Sequence, residues 1–320
     1  MQIVSGQTYN FKKCRTSRQQ NSIEEKNMST RVLPDFSLVT PTTLQEAIVF
    51  ADNYQQLAQF IAGGTDLIVN MKSGSSDPGS LIQIGALDEL YFLDYNENAG
   101  LKLGPLTTVK DIEASPIFKR IYPLFVDAAN VFANVQLLNM ATIGGNICNA
   151  SPAGDLIPPL MSINAEVELL SVSGTRTVGL VDFFKGPGKT VMKDNEILGS
   201  INAPPLSADY GSSFVRISRT AEDLAKVSAS VVLKEDDGKF KDVRISLGAV
   251  APTVIRIFEA EEFLEGRSID DEVIERAAAI ACETITPISD LRSTAAYRKQ
   301  VTGYATIQAI KKSLKRSRSQ

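Results

Sequence analysis

No histidine occurs in the 320 residues of this chain. Histidine general bases, histidine metal ligands and Ser-His-Asp triads are therefore excluded within it. Cysteine is scarce and scattered, at Cys14, Cys148 and Cys282. A zinc or iron–sulfur site with four cysteine ligands cannot be built from them. No metal ligand is assigned here, and any metal chemistry belongs on another subunit. With no disulfide framework, the thiols point to a reducing, cytoplasmic setting. Long apolar runs are also missing: none reaches the roughly 18 residues of a membrane helix. The stretch from Met1 to Lys26 lacks an apolar core, which excludes a secretory signal there. Residues 1–30 read as a disordered extension, with Met28 a candidate start. Excess charge of one sign is absent, since the formal net charge is −4. Nothing overall calls for nucleic acid or an anionic membrane. Basic residues gather only at the end, at Lys311, Lys312, Lys315, Arg316 and Arg318. They read as a solvated helix end whose cations suit the macrodipole.

What is present is an ordinary globular balance, 43% apolar and 22% charged, in a chain long enough for two domains. Thr43 to Tyr54 predicts a helix, with Leu44, Ala47, Ile48 and Ala51 on one face and Thr42 or Thr43 as cap. Phe60-Ile61-Ala62 predicts a short buried strand, Asp66 to Lys72 a helix, and Leu81 to Ile84 another strand. Together they form a small α/β unit. Leu101 to Pro105 predicts a strand, and a helical region runs from Thr108 through Phe118 to about Leu138. Asn139 to Pro159 reads as a loop of about twenty residues, where roughly 4–6 is ordinary. Glu166 to Ser171 and Thr175 to Val178 predict a hairpin around Ser173-Gly174. Composition shifts at Ala203-Pro204-Pro205. Beyond it, Val227 to Lys234 and Val243 to Val250 predict antiparallel strands joined at Asp236-Asp237-Gly238. Helices are expected over Ile255 to Leu264, Asp270 to Thr284 and Ser293 to Lys315. The last would bury Tyr297, Val301, Tyr304, Ile307, Ile310 and Leu314.

Two Gly-Gly turns carry the chemistry. In Ala62-Gly63-Gly64-Thr65-Asp66-Leu67, absent Cβ atoms let backbone N–H groups converge on an anion. Thr65 adds a hydroxyl, and the helix start adds a positive dipole end. A plain strand-to-helix turn is the alternative. Ala141-Thr142-Ile143-Gly144-Gly145-Asn146 repeats the logic, with side-chain polar groups from Thr142 and Asn146. Asp155 is either an acceptor for a ligand N–H or hydroxyl, or a helix N-cap. No G-x-G-x-x-G follows a strand, so a Rossmann site is unsupported. Gly188-Lys189-Thr190 imitates the end of a P-loop, but Phe183 stands where its first glycine would fall, leaving a turn around Pro187.

These two loops, with Ala150-Ser151-Pro152 and Asp155, resemble the FAD-binding subunit of molybdenum hydroxylases. Further matching pieces keep the family's order: Phe183-Phe184-Lys185-Gly186 with Glu196-Ile197-Leu198, then Ser218-Arg219 with Asp223-Leu224-Ala225. Gly248-Ala249-Val250-Ala251-Pro252 with Arg256 follows, and Asp290-Leu291-Arg292 with Tyr297-Arg298 closes the series. The resemblance spans Pro34 to Lys312. It implies an α+β protein. A vanillyl-alcohol-oxidase-type (PCMH-type) FAD-binding domain of two α/β subdomains would occupy residues 31–205. A CO-dehydrogenase-flavoprotein-like α+β domain would occupy 206–316.

The resemblance also implies non-covalent FAD, held by Phe60, Ile61, Ala62, Gly63, Gly64, Thr65, Asp66 and Leu67 and by Thr142, Ile143, Gly144, Gly145 and Asn146. Asp155 would meet the far end of the cofactor, Phe132 would line the site, and Ile197 and Leu198 would pack near it. Arg216 stands in for a family lysine. A Cβ at any of the four glycines would intrude on the phosphates. Only eight residues separate Asn146 from Asp155, with one cysteine among them, so the extra four-iron cluster of some relatives is expected to be absent. Molybdopterin and 2Fe-2S clusters are expected on a large and a small partner subunit, in a dimer of heterotrimers. NAD or another acceptor would take the electrons, and no catalytic residue is assigned in this chain. The competing expectations are a stand-alone flavin oxidase or reductase of the same fold, and a non-catalytic nucleotide-binding assembly module.

Overall fold

The computed structural model describes residues 33–220 and 222–318. Cys14, Met28 and the expected extension over residues 1–30 lie outside them. The chain begins with a parallel sheet: β1 (Ser37–Val39), β3 (Ser80–Gln83) and β2 (Ala58–Ile61), in that spatial order. Helix α1 (Leu44–Tyr54) joins β1 to β2, and α2 (Leu67–Ser73) joins β2 to β3. Thr43 caps α1 by accepting from the Glu46 N–H, and Ala47, Ile48 and Ala51 are buried, as the period required. The expected buried strand at residues 60–62 instead runs from Ala58 to Ile61 and is half-buried. It is an edge strand, whereas β3 lies between two neighbours and buries three of its four residues.

A second sheet has the order β4 (Leu93–Asn96), β5 (Gly100–Leu103), β10 (Ile197–Ala203), β6 (Glu166–Ser171) and β7 (Gly174–Gly179), with antiparallel neighbours. The helical region packed on it is four helices: α3 (Val109–Ala114), α4 (Pro116–Arg120), α5 (Pro123–Phe132) and α6 (Val135–Met140). Pro116 and Pro123 cannot continue a helix but suit a first turn, so each starts a new one. Phe118, Tyr122, Phe125 and Phe183 centre this core.

The expected long loop does not exist. Residues 139–159 contain the end of α6, all of α7 (Ile143–Asn149) and the start of α8 (Ile157–Ser162). Thr142 caps α7, and Pro158 and Pro159 fall in the first turn of α8, where a missing N–H costs nothing. Gly144-Gly145 is thus a helical first turn. Short α9 (Leu180–Phe183) leads to the hairpin β8 (Phe184–Gly186) and β9 (Lys189–Thr190), which contains the P-loop imitation as a turn with Gly188 at φ +68.

The last sheet is antiparallel, in the order β11 (Tyr210–Ile217), β12 (Val227–Asp236), β13 (Lys239–Gly248) and β14 (Ile255–Arg256). Its helices are α10 (Phe258–Leu264), α11 (Asp271–Thr284) and α12 (Ala295–Ser317). Alternate residues of β12 serve two cores. Val227, Ala229, Val231 and Leu233 pack in the core under these helices, while Val232 joins the core of the second sheet.

Helix α12 overturns part of its expected face: Val301, Ile307, Ile310 and Leu314 meet the core, but the two tyrosines do not. Tyr297 is 41% and Tyr304 58% exposed, and the buried side is mostly small: Thr302, Ala305, Thr306, Ala309 and Ser313, with Ile310 and Leu314. The cause is close approach to β11. A Cβ on Gly211 would lie 1.8 Å from the Ser313 carbonyl oxygen. The basic end is not merely solvated either. Arg316 and Lys312 both pair with Asp127 of α5, at 2.7 and 2.9 Å, and Lys311 pairs with Asp271. Cations from the last helix thereby clamp it to the helical layer of the second sheet.

Candidate functional site

Parallel strands end where ligands most often bind, beyond their carboxyl edge. Here β2 runs into Ala62-Gly63-Gly64 and β3 into the turn at Gly85. Both loops border a cavity of about 350 Å³, closed on the far side by Thr108, Met140 and Thr142. Ala62 and Gly63 of the first Gly-Gly loop and Thr142 of the second segment meet across it. Gly85, Asp88, Tyr91, Leu106 and Thr108 also line it. None of these was named as a site residue from the sequence. The only available signal was Gly85 after a short apolar run.

The two glycine pairs differ in their backbone donors. Around the second pair every amide is taken: Ile143 N–H donates to the Thr107 carbonyl, Gly144 to Pro105, Gly145 to Thr142 Oγ1 and Asn146 to the Thr142 carbonyl, all at 2.9–3.0 Å. Among the described residues, no amide from Ala62 through Leu67 donates to the protein. Gly64 sits at φ +70, the left-handed conformation that curls a loop into a concave row of donors. Asp66 begins α2 without capping it by its side chain, and burial pushes its carboxyl above the ordinary value.

At Gly63 and Gly144 the protein itself already excludes a side chain. A Cβ on Gly63 would lie 1.7 Å from the Met140 carbonyl oxygen, and one on Gly144 would lie 2.5 Å from Pro105 Cβ. Both clashes are with the protein itself, where β2's loop presses on the end of α6 and α7 presses on Pro105. At Gly145 the nearest atom is Thr142 Oγ1 at 3.0 Å.

One turn along α7 from the cavity, the polarity reverses. Asn146 Oδ1 and Asp155 Oδ1 are buried acceptors without a protein partner among the described residues. The other Asp155 oxygen accepts from Arg216 Nη1 at 2.8 Å, in a pair whose side chains are 6% and 2% exposed. Burial pushes the Asp155 carboxyl up to about 6, against the opposing pull of Arg216. Asp155 does not cap α8. Unspent donors at one end and orphaned acceptors at the other suit an elongated ligand with anionic phosphates and a hydrogen-bonding ring edge. FAD has that donor and acceptor pattern, so the residues fit it.

The remaining candidates sit elsewhere. Ile143, Ile197 and Leu198 are core residues, and Ile197 and Leu198 belong to different cores because strand neighbours point to opposite faces. Phe132 packs on the core at the end of α5, and Phe60 packs under the parallel sheet.

Two family models match. That of the FAD binding domain in molybdopterin dehydrogenase covers residues 34–206, and that of the CO dehydrogenase flavoprotein C-terminal domain covers 212–313. The glyceraldehyde dehydrogenase medium chain of Sulfolobus acidocaldarius is 33% identical over 278 residues, 87% of this chain and 98% of that one. The xanthine dehydrogenase FAD-binding subunit of Escherichia coli O157:H7 is 30% identical, over 80% of this chain and 88% of that one. Among solved structures, a carbon monoxide dehydrogenase from Hydrogenophaga pseudoflava, which lacks the Mo-pyranopterin moiety of its cofactor, aligns with a TM-score of 0.87. That alignment is 30% identical and covers 89% of this chain and 99% of the other.

Proposed function

The chain belongs to the FAD-binding medium subunits of molybdenum hydroxylases, and from that premise we propose that it is the complex's flavin relay, taking electrons from 2Fe-2S clusters on a small subunit and passing them to NAD or another acceptor. It is an oxidoreductase subunit. A molybdopterin-binding large subunit carries out the substrate oxidation, the complex is a dimer of heterotrimers, and it works in the cytoplasm. Among the described residues no helix is long and apolar enough to cross a membrane.

The observation that carries this reading is the row of unspent amides from Ala62 to Leu67, at the carboxyl edge of the parallel sheet and beside the cavity. When bound, FAD supplies two-electron chemistry. The protein binds and orients it. The amides around Gly63 and Gly64, with Thr65, hold the pyrophosphate. Thr142 forms the opposite wall. Asn146 and Asp155 accept from the ribityl hydroxyls and the ring N–H, and Arg216 fixes Asp155. Gly144, Gly145 and Ile143 seat α7, while Phe132, Ile197 and Leu198 back the site from the cores.

Purified full-length chain is expected to be yellow and to release FAD on denaturation. A colourless protein that cannot be reconstituted with FAD rules the reading out. Turnover of an organic substrate by the isolated chain would instead favour a stand-alone flavoenzyme.

The affinity should also depend on pH. A carboxylate that accepts a flavin N–H is favoured by binding, so FAD should bind less tightly as pH falls through about 6, where Asp155 takes up its proton. The slope is at most tenfold per pH unit. Fluorescence titrations from pH 5 to 8 measure it; an Asp155→Asn variant should flatten the curve, and an unchanged slope would remove Asp155 from the contact.

A further inference from the structure

The family-matching pieces Gly248-Ala249 and Asp290 with Arg298 lie away from the cavity, yet they converge. Arg298, on α12, is 4% exposed. Its Nη1 donates to the carbonyls of Lys226 and Ala249, both at 2.8 Å, and its Nη2 donates to Asp290 Oδ1 at 3.0 Å. Asp290 is itself fixed by the N–H groups of Arg292 and Ser293. Burial opposes its charge, but these amides and Arg298 hold its carboxyl below the ordinary value.

The residue gripped is an unusual one. Ala249 has φ +62, a left-handed conformation that alanine keeps only where its surroundings enforce it. In that conformation its N–H donates to the Pro152 carbonyl at 2.7 Å. Pro152 lies in the segment between α7 and α8, three residues before Asp155. Gly154 in that segment is close enough to Asn146 that a Cβ would come within 3.2 Å of Asn146 Oδ1. The linkage is continuous: Arg298 to the Ala249 carbonyl, the Ala249 amide to the Pro152 carbonyl, and Pro152 to the segment bearing the orphaned acceptor of Asp155.

We propose that Arg298 is a positioning residue for the flavin end of the site, enforcing a left-handed Ala249 whose amide sets the 151–155 segment in the register that presents Asp155 beside Asn146. This rests on the FAD reading above. It accounts for a buried cation on a helix face otherwise mostly small and apolar. It also explains why alanine tolerates the left-handed region there.

The test uses the full-length chain reconstituted with FAD, following dissociation constant, visible absorption band and flavin midpoint potential beside thermal unfolding. Arg298→Met should weaken FAD by about tenfold or more, equivalent to about 1.4 kcal/mol, and shift the band and the potential. Arg298→Lys keeps the charge and should fold, with an intermediate effect, since one ammonium cannot span all three acceptors. Adding Ala249→Gly to either variant should recover part of the affinity, because glycine holds a positive φ without enforcement. Ile310→Val thins the same core and should lower thermal stability without moving the flavin band. If the Arg298 variants lose stability but keep wild-type affinity, band and potential, the proposal is overturned and Arg298 only supports the fold. If wild-type protein cannot bind FAD, the functional reading falls first and this proposal falls with it.

Discussion

Gly63→Ala is expected to abolish FAD retention and to destabilise the protein by more than the roughly 1–3 kcal/mol typical of overpacking. The added carbon would stand 1.7 Å from the Met140 carbonyl oxygen, a backbone atom that no rotamer change can move aside. Either the first loop withdraws from the end of α6 or α6 itself shifts. Both displace the unspent amides from the wall formed by Thr142. Gly74→Ala is the control. It is left-handed, at φ +76, as Gly63 is not, but open space surrounds it. It should cost only the conformational strain, about 1–2 kcal/mol, and should leave the flavin in place. Bound-FAD content and thermal unfolding of both variants decide the matter. A yellow Gly63→Ala protein of wild-type stability would show that the loop and α6 are not in contact.

The second large effect concerns Arg216. Replacing it with methionine leaves Asp155 buried without its cation. Breaking one side of a buried pair typically costs about 3–5 kcal/mol. The sign with pH follows from the raised carboxyl. Its folded value, near 6, exceeds the ordinary 3.8. The native state therefore holds this proton more tightly than the unfolded chain does. The stability contributed by the protonated group is complete below about 3.8 and is lost as pH rises through about 6. Removing Arg216 raises the carboxyl further and carries that loss to higher pH. The gap between wild type and Arg216→Met should thus be small near pH 5 and widest near pH 8. Urea unfolding of the FAD-free proteins at both pH values measures it. A gap independent of pH would mean that Asp155 is not the group Arg216 serves.

The parts of the fold that were legible were those where apolar spacing and packing agree. Helix α1 announced its cap and its face, and the hairpin of β6 and β7 announced its turn. Misreadings arose where packing is tight and side chains are small. Gly144, Gly145 and the prolines of α8 look like loop residues, but each falls where a first helical turn admits it. Strand β11 carries Gly211, Ser212 and Ser213 in its interior and passed unseen. Of its two buried serines, Ser213 donates its hydroxyl to the Ala309 carbonyl of α12. A search for large apolar residues chose the tyrosines of that helix, when contact with β11 requires the opposite. At the site, the sequence offered the glycines but not their division of labour. Whether an amide is spent depends on carbonyls far along the chain, such as those of Pro105 and Thr107. Tyr91, Leu106 and Thr108 carry no local signal at all.

That division of labour has a consequence for how the molecule matures. The first-turn amides of α7 are taken by Thr142 and by the carbonyls of Pro105 and Thr107, so that wall is finished as soon as the chain folds. The loop after β2 differs, since among the described residues its amides have no protein acceptor. On the proposed reading, newly made protein would wait with one completed wall and one unfinished wall, and FAD would act as the last piece of the second. Flavin supply would then set how much of the chain reaches its mature form.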